Sequence, residues 1–401
     1  MLLFLSFLLF ASASERSTAH PHFVDGVHQR HADDALCAEL TRPLLPANRN
    51  LAYEQTEDDE RLQTYLSGLQ HQCNAKHSRI LLYQLHSDCG FGAELHWITV
   101  ALTAAVETNR TLVIREDVAW QYADASAGFC APGHTFSCYF ASLSSCVVRS
   151  RADLDEILAG VPLEEVPIFT TKELHKLDAH RVVQYSTDLQ KQLDFPFFRS
   201  VPSGWKSDRD LFWWRSQLVK FTMRLSSRVA GIVDARRDAL GLRSVNALGI
   251  HSRRGDKLFG SAINNPETKG IPMALMFDVS EAVAVACGYD AVFVATKDGD
   301  FVDYVDARVA QGADRVRWLV DRSISRKERG WSTHDLMRGL LNRTEEALDV
   351  ISDTFLLASV SCFVGAFDSN LSRLAAELGE ALRSFDRPPL SFNGTSWIVF
   401  P

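Results

Sequence analysis

The sequence predicts an α/β protein of two domains, the C-terminal one a doubly wound parallel sheet. Three observations carry this. From residue 245 onward short apolar runs of strand length alternate with longer helical patterns. In the N-terminal half a strand runs through a glycine turn into a helix. The 401 residues, 46% of them hydrophobic and 10% aromatic, suffice to fill two cores.

In the N-terminal half, Arg79 to Leu85 reads as a buried strand. It leads through His86-Ser87-Asp88-Cys89-Gly90-Phe91-Gly92 into a helix from about Ala93 to Thr108, with Leu95, Ile98, Leu102, Ala105 and Val106 at helical spacing. Gly90 and Gly92 would let the backbone approach a ligand closely, and the helix would turn its positive end toward it. A tight turn alone also favours glycine. Thr111 to Ile114 makes the next strand, Leu154 to Leu158 a helix, and Val166 to Phe169 and His180 to Gln184 two more strands. A long amphipathic helix is expected from about Asp208 to Leu240, carrying Phe212, Trp213, Trp214, Leu218, Phe221 and Leu225. The domain boundary falls near Gly241 to Ser244, just before a strand.

The C-terminal half continues with Met273 to Cys287 helical, Asp290 to Ala295 a strand, Phe301 to Gln311 helical and Val316 to Val320 a strand. Glu345 to Leu357 is helical, Ser361 to Val364 a short strand and Ser369 to Leu382 a helix. The polar stretch Asp321 to Ser332 interrupts this alternation and reads as a mobile loop over a site. The expected division is therefore a leader at 1–13, a stem or lead-in at 14–77, an N-terminal α/β domain at 78–243 and a C-terminal domain at 244–401.

Met1 to Ala13 is apolar, too short to span a bilayer, and ends in the small-residue pattern Ala11-Ser12-Ala13, as in a secretory signal peptide. Its lack of a positive n-region leaves a short membrane anchor open. Six of the eight cysteines lie in the first 150 residues, which in an oxidising compartment favours disulfides tying the N-terminal part together. No Cys-x-x-Cys pair occurs to suggest zinc. Sequons begin at Asn109, Asn342, Asn370 and Asn393. The formal charge of −8 and pI near 5.9 argue against a nucleic-acid partner.

Positive charge is instead concentrated at one point. The apolar run Val245 to Ile250 stops in His251-Ser252-Arg253-Arg254-Gly255-Asp256-Lys257. A buried strand thus delivers cations to its C-terminal end, where ligands of open α/β sheets bind. Arg253, Arg254 and Lys257 suit a diphosphate, which guanidinium groups grip in a bidentate fork. After the strand ending at Ala295, Asp298-Gly299-Asp300 has the Asp-x-Asp form of a metal-dependent nucleotide-sugar site. Lys297 beside it works against a metal, and three cations already suffice to neutralise a leaving diphosphate, so no cofactor or metal is expected.

His251 to Lys257 resembles the His-x-Arg-Arg-x-Asp-Lys signature of the α1,6-fucosyltransferases, the family of the animal core and bacterial nodulation enzymes. Cys89-Gly90-Phe91-Gly92-Ala93-Glu94-Leu95-His96, Arg110 to Ile114 and Trp120 to Ala123 are similar to that family's first strand-loop-helix unit. Phe293 to Asp298, and Asp353 to Leu357 with Phe367 to Asn370, resemble later motifs, so the resemblance runs from about Ile80 to Leu382.

The resemblance implies a two-domain GT-B-like fold with a Rossmann-type sheet in the nucleotide-binding half. It also implies GDP-fucose as donor, inversion at the anomeric carbon, no metal, and an N-glycan or chitooligosaccharide acceptor in the Golgi lumen. By the same resemblance Arg253 binds the β-phosphate with Arg254 in support, and His251 and Asp353 address guanine or ribose. Ser369 contacts phosphate, Gly90 and Asp298 sit by the donor, and Asp256 and Lys257 close the ionic network. The family's general base is a Glu a few residues beyond the Lys; Ser261 stands there in this chain. Because inverting transfer needs a base for the acceptor proton, Glu267, the nearest carboxylate of that loop, is the expected substitute. Ser261 also keeps open a catalytically silent luminal relative that binds glycan or nucleotide.

Overall fold

The structure, a computed structural model, describes residues 33–42, 57–86, 89–169, 178–185, 201–205, 210–254, 271–312, 315–328, 333–382 and 384–392. It is α/β, with two parallel sheets in succession along the chain. The first is ordered β2-β1-β4-β3, from β1 (Ile80–Gln84), β2 (Thr111–Arg115), β3 (Ile168–Phe169) and β4 (Val182–Tyr185). The second is ordered β7-β6-β5-β8-β9, from β5 (Ala247–His251), β6 (Ala291–Ala295), β7 (Arg317–Val320), β8 (Cys362–Gly365) and β9 (Leu390–Ser391). This is the two-unit arrangement that the resemblance implied.

Why these runs form doubly covered sheets is visible in their period of two. In β5 and β6 alternate residues, Leu248, Ile250, Val292 and Val294, face one core with α7 (Met273–Cys287) and α8 (Gly299–Ala310). Ala247, Ala291, Phe293 and Ala295 face the other with α10 (Arg343–Leu357), which follows the short α9 (Thr333–Met337). In β1, Ile80 and Leu82 pack on α4 (Arg151–Leu158), whereas Leu81 and Tyr83 join the same core as Phe293. One apolar core thus runs through both units. Gly249 is needed where α10 leaves off: a Cβ there would meet Val360 Cγ2 at 2.8 Å and Leu357 Cδ2 at 3.1 Å.

The C-terminal helix α11 (Asn370–Leu382) crosses back onto the first unit. It packs against α3 (Phe91–Glu107) and α5 (Leu211–Thr222) and is buried nearly all round. Among the described residues no helix is long and apolar enough to cross a membrane.

Four expectations change. The lead-in contains two packed helices. In α2 (Glu57–His71) the acidic run Glu57 to Glu60 sits at the positive helix end, and Asp59 accepts the Trp213 indole proton at 2.7 Å. In α1 (Asp34–Thr41), Asp33 caps the helix and Cys37 bonds to Cys287 of α7. One disulfide therefore joins the lead-in to the C-terminal unit, while Cys73–Cys146 and Cys130–Cys138 lie within the N-terminal part and Cys89 and Cys362 are not disulfide-bonded. The single helix expected over 208–240 is two, α5 and α6 (Ser227–Ala239), because Ser226 caps a new start and Arg224 O turns out to accept from Ala141 N at 2.6 Å. Finally, residues 321–328 are held down: Arg326 donates to the backbone oxygens of Thr296 (3.0 Å), Asp321 (2.7 Å) and Ile324 (3.2 Å).

Candidate active site

Strand order decides where a ligand sits. The chain winds from β5 to β6 to β7 on one side and continues to β8 and β9 on the other, so the carboxyl ends of β5 and β8 flank a topological switch point. His251, Ser252, Arg253 and Arg254 leave β5 there, and Ala366 to Asn370 leave β8.

His251 is buried at the strand end, with Nδ1 2.7 Å from Ser372 Oγ. Burial, aided by the Arg253 guanidinium, pushes its imidazole down to about 3, so it is neutral at any ordinary pH. Arg253 and Arg254 are half-buried. Arg254 is fixed by two bonds, Nε to Asp298 Oδ2 at 2.5 Å and Nη1 to Ile271 O at 3.2 Å. A long side chain so held is pre-organised for an anion.

Asp298 itself has both oxygens engaged, since Oδ1 accepts Asp300 N at 3.0 Å as the N-cap of α8. Its burial raises the carboxyl above the usual range against the pull of Arg254. Asp298 therefore reaches a ligand only through Arg254. Lys297 points the other way, to Asp349 at 2.7 Å and Glu346 at 2.9 Å.

Asp353 lies on α10, 3% exposed, with its Oδ1 buried and, among the described residues, without a hydrogen-bond partner. Burial pushes its carboxyl up to about 7, with Lys297 and Arg326 opposing and Asp349 adding. It is an acceptor awaiting a donor, or, protonated, a donor awaiting an acceptor.

Ser369 is buried in the turn between β8 and α11. Gly90 caps α3 in an extended conformation. The two helix starts abut: a Cβ on Gly92 would lie 2.9 Å from Leu371 N and 3.0 Å from Asn370 C. Gly92 thus admits the neighbouring backbone where ligand approach was expected. His96 locks the junction, Nδ1 2.9 Å from Asn370 Oδ1 and Nε2 3.0 Å from Glu377 Oε2. Arg373 also donates to Asn370 Oδ1. The Asn370 amide is thereby turned inward, unlike a glycan acceptor, and the Asn342 amide caps α10.

The structure brings Arg253, Arg254, His251 and Asp298 together at the end of β5 and β6, Asp353 beside Lys297 and Arg326, and Gly90 and Ser369 at two abutting helix starts. Asp256, Lys257, Ser261 and Glu267 lie outside the described residues. Sequence reasoning missed Arg326, hidden in a stretch taken for loop, and His96, whose partners are 274 and 281 residues away. It also missed a buried group, Tyr83, His86 and Glu94, at the end of β1.

A family model described as alpha-(1,6)-fucosyltransferase N- and catalytic domains matches residues 47–133, which include the β1 turn and α3. An alpha-(1,6)-fucosyltransferase of Caenorhabditis elegans is 22% identical over 337 residues, 81% of this chain and 54% of that protein. The chain is similar to the α1,6-fucosyltransferases. It spans about half the length of that curated relative. Among solved structures, the fucosyltransferase NodZ from Bradyrhizobium is 17% identical at a TM-score of 0.41, with 75% of this chain and 92% of that chain covered. POFUT1 in complex with GDP-fucose is 13% identical at 0.44, with 80% and 98% covered. Both are distant likenesses. The α1,6-fucosyltransferase match takes in the β1 turn and α3 of the first unit and stops short of the β5 cations.

Proposed function

We propose that the protein is an inverting glycosyltransferase that moves fucose from GDP-fucose to a glycan, α1,6 to a GlcNAc of an N-glycan or chitooligosaccharide, without a metal. The observation that carries this reading is the pair Arg253 and Arg254 at the β5–β8 switch point, with Arg254 pre-set by Asp298. As the acceptor oxygen attacks the fucose anomeric carbon, negative charge grows on the departing β-phosphate. Guanidinium groups already in place stabilise that charge without reorganising. The start of α11 beside Ser369 adds backbone N–H groups to the same anion. Neutral His251 and the partnerless oxygen of Asp353 serve guanine or ribose.

Metal independence is supported by Asp298, whose two oxygens serve Arg254 and the α8 cap instead of a metal ion. The leader, the disulfides and the exposed Asn109 sequon support a Golgi-luminal or secreted place, with membrane contact confined to an anchor at residues 1–13.

Two other readings are kept open by single features: a silent glycan- or nucleotide-binding relative by Ser261, and a metal-dependent transferase by the Asp298-x-Asp300 form. One experiment separates the three. The purified chain is incubated with GDP-fucose and a panel of N-glycans and chitooligosaccharides, with and without chelator. Transfer that ignores chelator supports the proposal; GDP-fucose binding without transfer, or transfer abolished by chelator, would replace it with the corresponding rival.

A further inference from the structure

At the carboxyl end of β1 the Glu94 carboxylate collects three protons. Tyr83 OH donates to Oε1 at 2.8 Å, and the His86 backbone N–H to Oε2 at 3.0 Å. His86 Nδ1 lies 3.0 Å from the same Oε2. All three side chains are buried. A carboxylate accepts only, so Nδ1 of His86 carries a proton, and in the neutral imidazole the lone pair is then at Nε2. That Nε2 is buried and has no hydrogen-bond partner among the described residues. A carboxylate fixing an imidazole in this tautomer is the arrangement that makes histidine a general base.

Its place in the fold fits that use. In the first sheet β1 and β4 flank the switch point, and the turn after β1 leads into the α3 start that abuts α11. His86 therefore stands on the N-terminal side of the junction whose other side carries Ser369 and the β5 cations. Catalysis from the two sides would be divided, with donor charge on the second sheet and proton removal on the first.

We propose that His86, oriented by Glu94 and Tyr83, is the base that takes the acceptor proton. The inference rests on the transferase reading above. In the step, the acceptor O–H proton passes to His86 Nε2 and the oxygen forms its bond to the fucose anomeric carbon. The bond from that carbon to the phosphate oxygen breaks, its electron pair leaving with GDP. Cys89 is close enough to His86 and Glu94 for the three to hold a metal ion, but Glu94 already has both oxygens occupied by protein donors, which favours the orienting role.

The test uses the full chain and measures transfer, GDP-fucose affinity, melting and zinc content for wild type and for His86→Ala, His86→Gln and Glu94→Gln. Both His86 variants should bind GDP-fucose within about twofold of wild type yet lose at least ~100-fold in kcat, and added imidazole should restore part of the His86→Ala activity. Glu94→Gln should lose about tenfold. Activity of either folded His86 variant within about tenfold of wild type, a loss that imidazole does not rescue, or stoichiometric zinc lost with His86 would overturn the assignment. A wild-type chain that transfers no fucose would bring down the proposed function as well; an active wild type with an active His86→Ala brings down the base alone.

Discussion

The Arg254 guanidinium sits with Nε 2.5 Å from Asp298 Oδ2, and the other oxygen of that carboxylate caps α8. One side chain thus ties the cationic end of β5 to the start of the helix that follows β6. Because asparagine is as good a helix cap as aspartate, Asp298→Asn should remove the ionic anchor and keep the cap. The expected outcome is a rise of about tenfold in the KM for GDP-fucose, equivalent to roughly 1.4 kcal/mol, with melting nearly unchanged. Steady-state kinetics beside a thermal melt read both.

Asp353 gives stability a pH slope of defined sign. Its folded-state carboxyl is raised to about 7 from an ordinary value of 3.8, chiefly by burial. The stabilising effect of the bound proton is complete below 3.8 and is lost as pH rises through 7. Without donor, the protein should melt lower at pH 8 than at pH 6, and Asp353→Asn should flatten that difference. His251 acts on the other side: held down at about 3, it costs stability as pH falls from 6.5 toward 3, because only the unfolded chain takes up the proton. Melting temperature across pH 4 to 9, for wild type and Asp353→Asn, checks both slopes; a wild type equally stable at pH 6 and 8 speaks against the Asp353 assignment.

At Gly92 the start of α3 lies against the backbone of the α11 start. Gly92→Ala would set a methyl 2.9 Å from the Leu371 nitrogen, in backbone that cannot swing aside. Overpacking of this kind costs about 1–3 kcal/mol, and the displaced α11 start should weaken donor binding as well. Chemical denaturation and GDP binding on the same variant read the two effects. Gly68, whose Cβ would meet nothing within 4 Å, makes the matched control.

The Cys37–Cys287 bond closes a loop of 250 residues between α1 and α7. Cys37→Ser should lower stability by on the order of 2–5 kcal/mol, more than loss of Cys130–Cys138, which closes 8 residues. Denaturation of the two variants under non-reducing conditions ranks them.

Much of this was legible in the residues. The continuous apolar runs at 245–250 and 291–295 announced buried strands, and the abrupt change from Ile250 to His251 announced a cationic strand end. What escaped depends on distance along the chain. Nothing local marks His96 as the partner of Glu377, nor Asp59 as the acceptor of Trp213; such bonds exist only once the units pack. Helix α2 was hidden by its acidic first turn, which resembles a solvated stem until Leu62 and Leu66 find a core. The break at Met223 to Ser226 was masked by apolar residues continuing at helical spacing across it. The Glu94 and His86 pair lies eight residues apart, in a turn read for its glycines alone.

The central claim is that the cations at the end of β5 hold the two phosphates of a nucleotide sugar. Calorimetric titration of GDP into wild type, Arg253→Ala and Arg254→Ala tests it most directly. GMP, which lacks the second phosphate, serves as reference. The cation reading predicts a loss of at least ~100-fold in GDP affinity for Arg253→Ala with little change for GMP, and a smaller loss for Arg254→Ala. GDP affinity unchanged in a folded Arg253→Ala protein would contradict it.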